Sequence, residues 1–208
     1  MRDEFYGDCK DVLKWTVALR AAEGDKDILY VTMRRPNKNR HGLDFRDVSD
    51  ADPMVVKFFS QERAEFQSCP SSRSILRLSK LSPRIALFDD PYEHGQRRRY
   101  FDRVCAQLMA RPSHRPYVIL VDPDNGIAGK CPKSEHVCDI ELLRIWSAMI
   151  QGDVLIVYQH QFRDREWSTK RRSALANAIG SDRIRCRLHD DIRSVCFLEV
   201  TKSRIREP

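Results

Sequence analysis

The chain has 208 residues, of which 41% are hydrophobic and 32% charged, with a formal net charge of +7. That suffices for a continuous core and leaves no segment apolar-poor enough to stay disordered, so a single domain over 1–208 is expected. The longest apolar runs, such as Val118 to Val121, fall far short of the ~20 residues a membrane helix needs, which excludes a membrane span. Seven scattered cysteines, an odd number, and a charged rather than apolar first stretch point to a reducing cytoplasm and no secretory leader.

In chain order, Val12, Leu13, Val17, Leu19 and Ala21 predict an amphipathic first helix over 10–23, capped by Asp8 and stopped by Gly24. A short β-rich run over 28–33 follows, then a long polar loop over 34–50. Asp52 with Pro53 opens a helix over 53–66, Cys69-Pro70-Ser71-Ser72 breaks the chain, and residues 75–81 read as a further helix. A strand over 84–88, a helix over 95–110 and a continuous apolar strand over 117–121 come next. A helix over 139–150, a strand over 153–158 and a helix over 165–179 ended by Gly180 repeat the alternation, and strands over 183–188 and 194–201 close it. Alternating strands and helices imply an α/β, Rossmann-like three-layer domain with a mostly parallel sheet and an antiparallel C-terminal edge.

Ligands of such sheets sit outside the carboxyl ends of the strands. There the sequence has Asp122-Pro123-Asp124-Asn125-Gly126 after one strand and Tyr158-Gln159-His160 after another. Asp122 and Asp124 are a pair for a divalent ion such as magnesium or manganese, or for proton transfer, and Asn125-Gly126 permits a tight turn beside a ligand. His160 suits a general base, a hydrogen-bond donor to a base edge, or a metal ligand. Cys131 and Cys138 flank His136, but at a spacing foreign to structural zinc sites. Basic clusters at Arg34-Arg35, Lys38, Arg40, Arg97-Arg98-Arg99, Lys170-Arg171-Arg172 and the tail from Lys202 to Arg206 favour a nucleic-acid partner.

Tyr6-Gly7-Asp8-Cys9-Lys10-Asp11-Val12-Leu13-Lys14-Trp15 resembles the N-terminal Asn-x-x-Asp-Val-Leu-Lys-His motif of bacterial ribosomal RNA adenine amino-methyltransferases. Asp122-Pro123-Asp124-Asn125 stands where those enzymes carry Asp-Pro-Pro-Tyr. The resemblance implies a methyltransferase-like sheet, Asp8, Asp11 and Lys14 near the methionine end of S-adenosylmethionine, and Asp122 receiving the target amino group. Asp124-Asn125 departs from the family's Pro-Tyr, and Arg34-Arg35-Pro36 replaces a glycine-rich turn after the first strand. The chain also resembles a group of uncharacterised bacterial proteins sharing Gly-Asp-x-x-Asp, Asp-Pro-Asp-Asn-Gly and Tyr-Gln-His, a likeness that implies no activity.

Three functions follow. The first is a methyltransferase-like enzyme acting on nucleic acid through Asp122 and Asn125, with Lys14 on the cofactor carboxylate. The second is a metal-dependent nuclease or phosphoesterase using Asp122, Asp124 and Asp89 or Asp90, with His160 or Lys14 assisting. The third is a non-catalytic domain that binds nucleic acid, a partner protein or a larger assembly through its arginine clusters.

Overall fold

A computed structural model describes residues 6–35, 46–69, 74–111, 115–129 and 132–203. Lys38, Arg40, Cys131, Arg204 and Arg206, named above for charge or metal binding, lie outside the described residues.

Helix α1 (Cys9–Ala21) starts at Asp8, whose carboxylate accepts from the backbone N–H groups of Lys10 and Asp11. Strand β1 (Asp27–Val31) follows. Helix α2 (Pro53–Ser68) is capped by Asp52 with proline in its first turn, as the sequence predicts. Residues Ile75–Lys80 form a 3₁₀ helix rather than the expected α-helix, because breaks on both sides leave too few residues to propagate α-turns. Strand β2 (Ile85–Phe88) leads through a 3₁₀ turn (His94–Gln96) into α3 (Arg97–Met109). Strand β3 (Tyr117–Val121), buried at every position, has the predicted bounds.

Two short strands escape the sequence reading: β4 (Gly126–Ile127) and β5 (His136–Val137), which pair in parallel as a separate two-stranded sheet. Helix α4 (Asp139–Ala148) has the Glu141 carboxylate on the Cys138 N–H at its start. Strand β6 (Val154–His160) runs two residues past its expected end because Gln159 and His160 pair with Cys196 and Val195. Helix α5 (Trp167–Ile179) ends on Gly180 in the left-handed conformation. Strands β7 (Arg185–Leu188) and β8 (Val195–Thr201) close the sheet.

The six-stranded sheet has the order β2-β1-β3-β6-β8-β7. β2, β1, β3 and β6 are parallel, and β8 is antiparallel to both β6 and β7. The expected antiparallel edge is present, with β8 inserted between the two strands that precede it. Alternate residues feed two cores. Ile28, Tyr30, Leu120, Ile156 and Tyr158 pack with Trp15 and Phe59 of α1 and α2. Leu29, Val31, Ile119, Leu155 and Val157 pack with Phe101, Leu142 and Leu175 of α3, α4 and α5. The result is a Rossmann-like α/β arrangement. No helix among the described residues is long and apolar enough to cross a membrane.

Candidate active site

From β1 the chain crosses to β2 on one side and later returns to β3 on the other, and the crevice between β1 and β3 is where open α/β sheets take ligands. Helix α1 points its N-terminus into it. The Gly7 N–H donates to Asp11 Oδ2 at 2.8 Å, which fixes the Asp11 carboxylate beside the first turn. Lys14, three residues on and on the same face, is 2% exposed. Its Nζ donates to Asp11 Oδ1 at 2.8 Å and to Asp122 Oδ2 at 2.7 Å. Asp122 is 1% exposed and takes a further hydrogen bond from the Tyr30 hydroxyl of β1. The Lys14 ammonium also lies 4.8 Å from the centre of the Tyr158 ring.

The carboxyl turn after β3 is held by one buried side chain. Gln159 of β6 accepts from the Ile127 N–H at 2.8 Å and donates to the carbonyls of Asn125 at 3.0 Å and His160 at 2.6 Å. Gly126 turns at φ 90, and a Cβ there would fall inside the Gln159 carboxamide. At the rim Arg35 Nη1 stands 3.2 Å from both Asp124 Oδ2 and Glu135 Oε2. The exit from β1 uses no glycine: Met33 takes the left-handed conformation, φ 42, with its N–H on the Tyr100 hydroxyl at 3.0 Å.

These elements enclose a pocket of about 250 Å³ lined by Asp8, Lys10, Asp11, Lys14, the Asp122 to Asn125 turn, Glu135, Tyr158 and His160. The structure therefore brings together Asp8, Asp11, Lys14, Asp122, Asp124, Asn125 and His160, but not Asp89 or Asp90, which follow β2. Tyr30 and Glu135 were not foreseen, and Arg35 was expected only as part of a basic cluster, not at this rim. Tyr30 carried a signal, being the one hydroxyl in the aliphatic run Ile28-Leu29-Tyr30-Val31, whereas nothing in the sequence pairs Arg35 with Asp124 or marks Glu135.

The charges are strongly coupled. Burial alone would lower the Lys14 ammonium, but Asp11 and Asp122 outweigh it and hold it above the ordinary lysine range. Burial, together with the Asp122 charge, pushes the Tyr30 and Tyr158 hydroxyls well up, so both stay protonated. Burial and then Lys10 push His160 down to about 4. A neutral His160 sits with Nε2 3.0 Å from the Tyr158 hydroxyl. The direction of that bond depends on the imidazole tautomer: with the hydroxyl donating to Nε2, the ring hydrogen lies on Nδ1 and His160 offers an N–H donor there.

Burial, and then the neighbouring Asp11 charge, raise Asp8 to about 7. A carboxyl raised in the fold contributes stability that is complete below its unfolded value of ~3.9 and is lost as pH rises through the folded one. Asparagine keeps the cap acceptor without the charge. Asp8→Asn is therefore expected to be more stable than the parent by about 1–3 kcal/mol at pH 8 and to show no gain at pH 4, read from urea midpoints. A parent protein as stable as the variant at pH 8 would mean the ionised Asp8 is well accommodated.

The carboxylates considered for a metal are each paired with a cation already: Asp122 with Lys14 and Asp124 with Arg35. Asp89 and Asp90 follow β2, two strands from β3, and Asp90 pairs with Arg103. Among the described residues no group of three or more His, Cys, Asp or Glu side chains is arranged to hold an ion. This donor set does not fit a divalent metal.

The clusters on α3 and α5 lie elsewhere and are split. Arg97 is spent inside the fold, on the Glu141 carboxylate at 2.7 Å and the carbonyls of Lys133 and His136. Arg98 and Arg99 are exposed. Lys170 is exposed and pairs with Asp164, Arg171 stacks 4.4 Å from the Phe162 ring centre and donates to the Ala128 carbonyl, and Arg172 is exposed. Three consecutive helical residues point about 100° apart, so such runs cannot form one face. Comparison of the chain with protein-family models, with curated proteins and with solved structures gives no match.

Proposed function

We propose that the chain is a methyltransferase-like enzyme that modifies an amino group on nucleic acid, with S-adenosylmethionine as methyl donor. One observation carries the reading. The two segments on which the family resemblance rests, 108 residues apart, meet in one pocket with Lys14 Nζ 2.7 Å from Asp122 Oδ2. Five carboxyl groups line the pocket against the ammonium groups of Lys10 and Lys14, with the Arg35 guanidinium at the rim, and the negative balance favours an amine-bearing or cationic ligand over phosphate as the reacting group.

The donor set fits the methionine end of S-adenosylmethionine: Asp8 and Asp11 suit its ammonium and sulfonium, and Lys10 its carboxylate. Lys14, engaged by two carboxylates, holds Asp11 and Asp122 in place instead of reaching the cofactor carboxylate. When bound, the cofactor supplies an electrophilic methyl group. Asp122 and Asn125 offer acceptor oxygens to an exocyclic N–H, and the His160 Nδ1–H offers a donor to a ring nitrogen. An amino group beside a ring acceptor is the Watson–Crick edge of adenine or cytosine, which an enzyme reaches by taking the base out of the stack. With Asp124-Asn125 in place of Pro-Tyr, hydrogen bonds rather than an aromatic platform at that turn orient the base.

Calorimetric titration with S-adenosylmethionine is expected to give saturable binding at or below ~100 μM, about −5.5 kcal/mol. Asp11→Asn should weaken it at least tenfold, roughly 1.4 kcal/mol. Titration of the folded protein without heat of binding, together with no transfer of labelled methyl groups to RNA or DNA, would remove this reading.

A further inference from the structure

A groove of about 470 Å³ lies at the other end of the sheet, on its β7 edge. Three arginines from separate stretches line it: Arg172 from α5, Arg183 from the connection into β7, and Arg185 at the start of that strand. All three are exposed, and among the described residues none is ion-paired with a carboxylate. Arg187, the next outward residue of β7, differs: its guanidinium grips Glu199 at 2.7 and 3.3 Å, so the Glu199 carboxylate on the groove wall is already neutralised. Asp182 is the other acidic group of the lining. Three guanidinium groups thus face one uncommitted carboxylate.

Charged side chains on an edge strand guard against pairing with other chains, and that accounts for Arg185 and Arg187. It does not account for Arg172 or Arg183, which lie outside the strand and converge on the same hollow. Three guanidinium groups with one carboxylate among them keep an excess of positive charge and are suited to phosphates, which they grip through two parallel N–H bonds. The hydroxyls of Thr201 and Ser203 on the wall add donors of the kind that position a phosphate backbone.

We propose that this groove binds the phosphate backbone of a nucleic-acid strand. The proposal is independent of chemistry in the pocket at the other end of the sheet. Thr201 and Val195 close opposite ends of β8, and Val195 pairs with His160. Six steps of ~3.3 Å put the groove ~20 Å from that pocket. A strand at the helical rise of ~3.4 Å per nucleotide spans that distance in about six nucleotides.

The test is fluorescence anisotropy of a labelled oligonucleotide several times that length, titrated at a series of salt concentrations. The combined variant Arg172→Ala/Arg183→Ala/Arg185→Ala, shown folded by circular dichroism, is expected to bind at least tenfold more weakly. Its log–log salt slope should be shallower by about 2, since each lost single-strand phosphate contact removes ~0.7. The corresponding lysine variant should keep most of the slope and lose affinity. Unchanged affinity and slope in the alanine variant overturn the proposal. So does a polyglutamate of matched charge that displaces the oligonucleotide equally well, because the groove would then recognise an acidic protein surface.

Discussion

Lys14→Met is expected to destabilise the protein by about 3–5 kcal/mol, because it leaves two carboxylates buried without their shared cation. Methionine fills nearly the same volume, so a cavity contributes little. The loss is electrostatic. Lys14 donates to Asp11 and Asp122, which are 2% and 1% exposed. Chemical denaturation of Lys14→Met, Asp122→Asn and the double variant gives the measurement. If the two side chains act as a pair, the double variant should be less damaged than the sum of the singles by about 1–3 kcal/mol. Additive losses would mean that Asp122 is held mainly by Tyr30 and that α1 is joined to β3 by packing alone.

Gly126→Ala should cost about 3–4 kcal/mol and abolish ligand binding in the pocket while the protein is still folded. A left-handed alanine carries about 1–2 kcal/mol of strain, and the remainder comes from displacing Gln159. That carboxamide is held in place: two of its three hydrogen bonds tie the Asp122 to Ile127 turn to β6, the third goes to the His160 carbonyl, and the residue is buried. Each bond broken is worth about 1 kcal/mol net. In a Gln159→Ala background the new methyl group has room, so Gly126→Ala should cost only its backbone strain there. Equal costs of Gly126→Ala in both backgrounds, by urea denaturation, would show that Gln159 does not anchor the turn.

Much of this arrangement is legible in the sequence because local chemistry and tertiary context agree. Asp52-Pro53 and Gly180 mark helix ends by backbone preferences that the fold leaves intact, and Tyr117 to Val121 is apolar throughout because both faces of the sheet are covered. The illegible parts depend on distant partners. β4 and β5 are two residues each, too short to show periodicity, and Gly126 reads as a turn until its pairing with His136 is known. Tyr158-Gln159-His160 breaks the apolar pattern of β6, yet it remains strand because β8 continues alongside. Arg97, Arg98 and Arg99 look alike in a row, whereas the helical turn sends the first to Glu141 and leaves the other two in solvent. For the site, strand-end position was enough to find Asp122 and His160. Charge pairing was not readable, and it changed their surroundings: Asp122 shares Lys14 with Asp11, and burial holds His160 neutral.

The insertion of β8 between β6 and β7 sets the order in which the molecule can be completed during synthesis. Until residues 195–201 leave the ribosome, β7 has no neighbour in the sheet and the inner strand β6, with its run of valine, leucine and isoleucine, is an open border. A nascent chain halted before that point presents a long apolar template for other chains, which is the form in which α/β domains aggregate. Among the described residues β8 is therefore the strand that seals the sheet, and by pairing with Tyr158 and His160 it also supports two residues of the pocket.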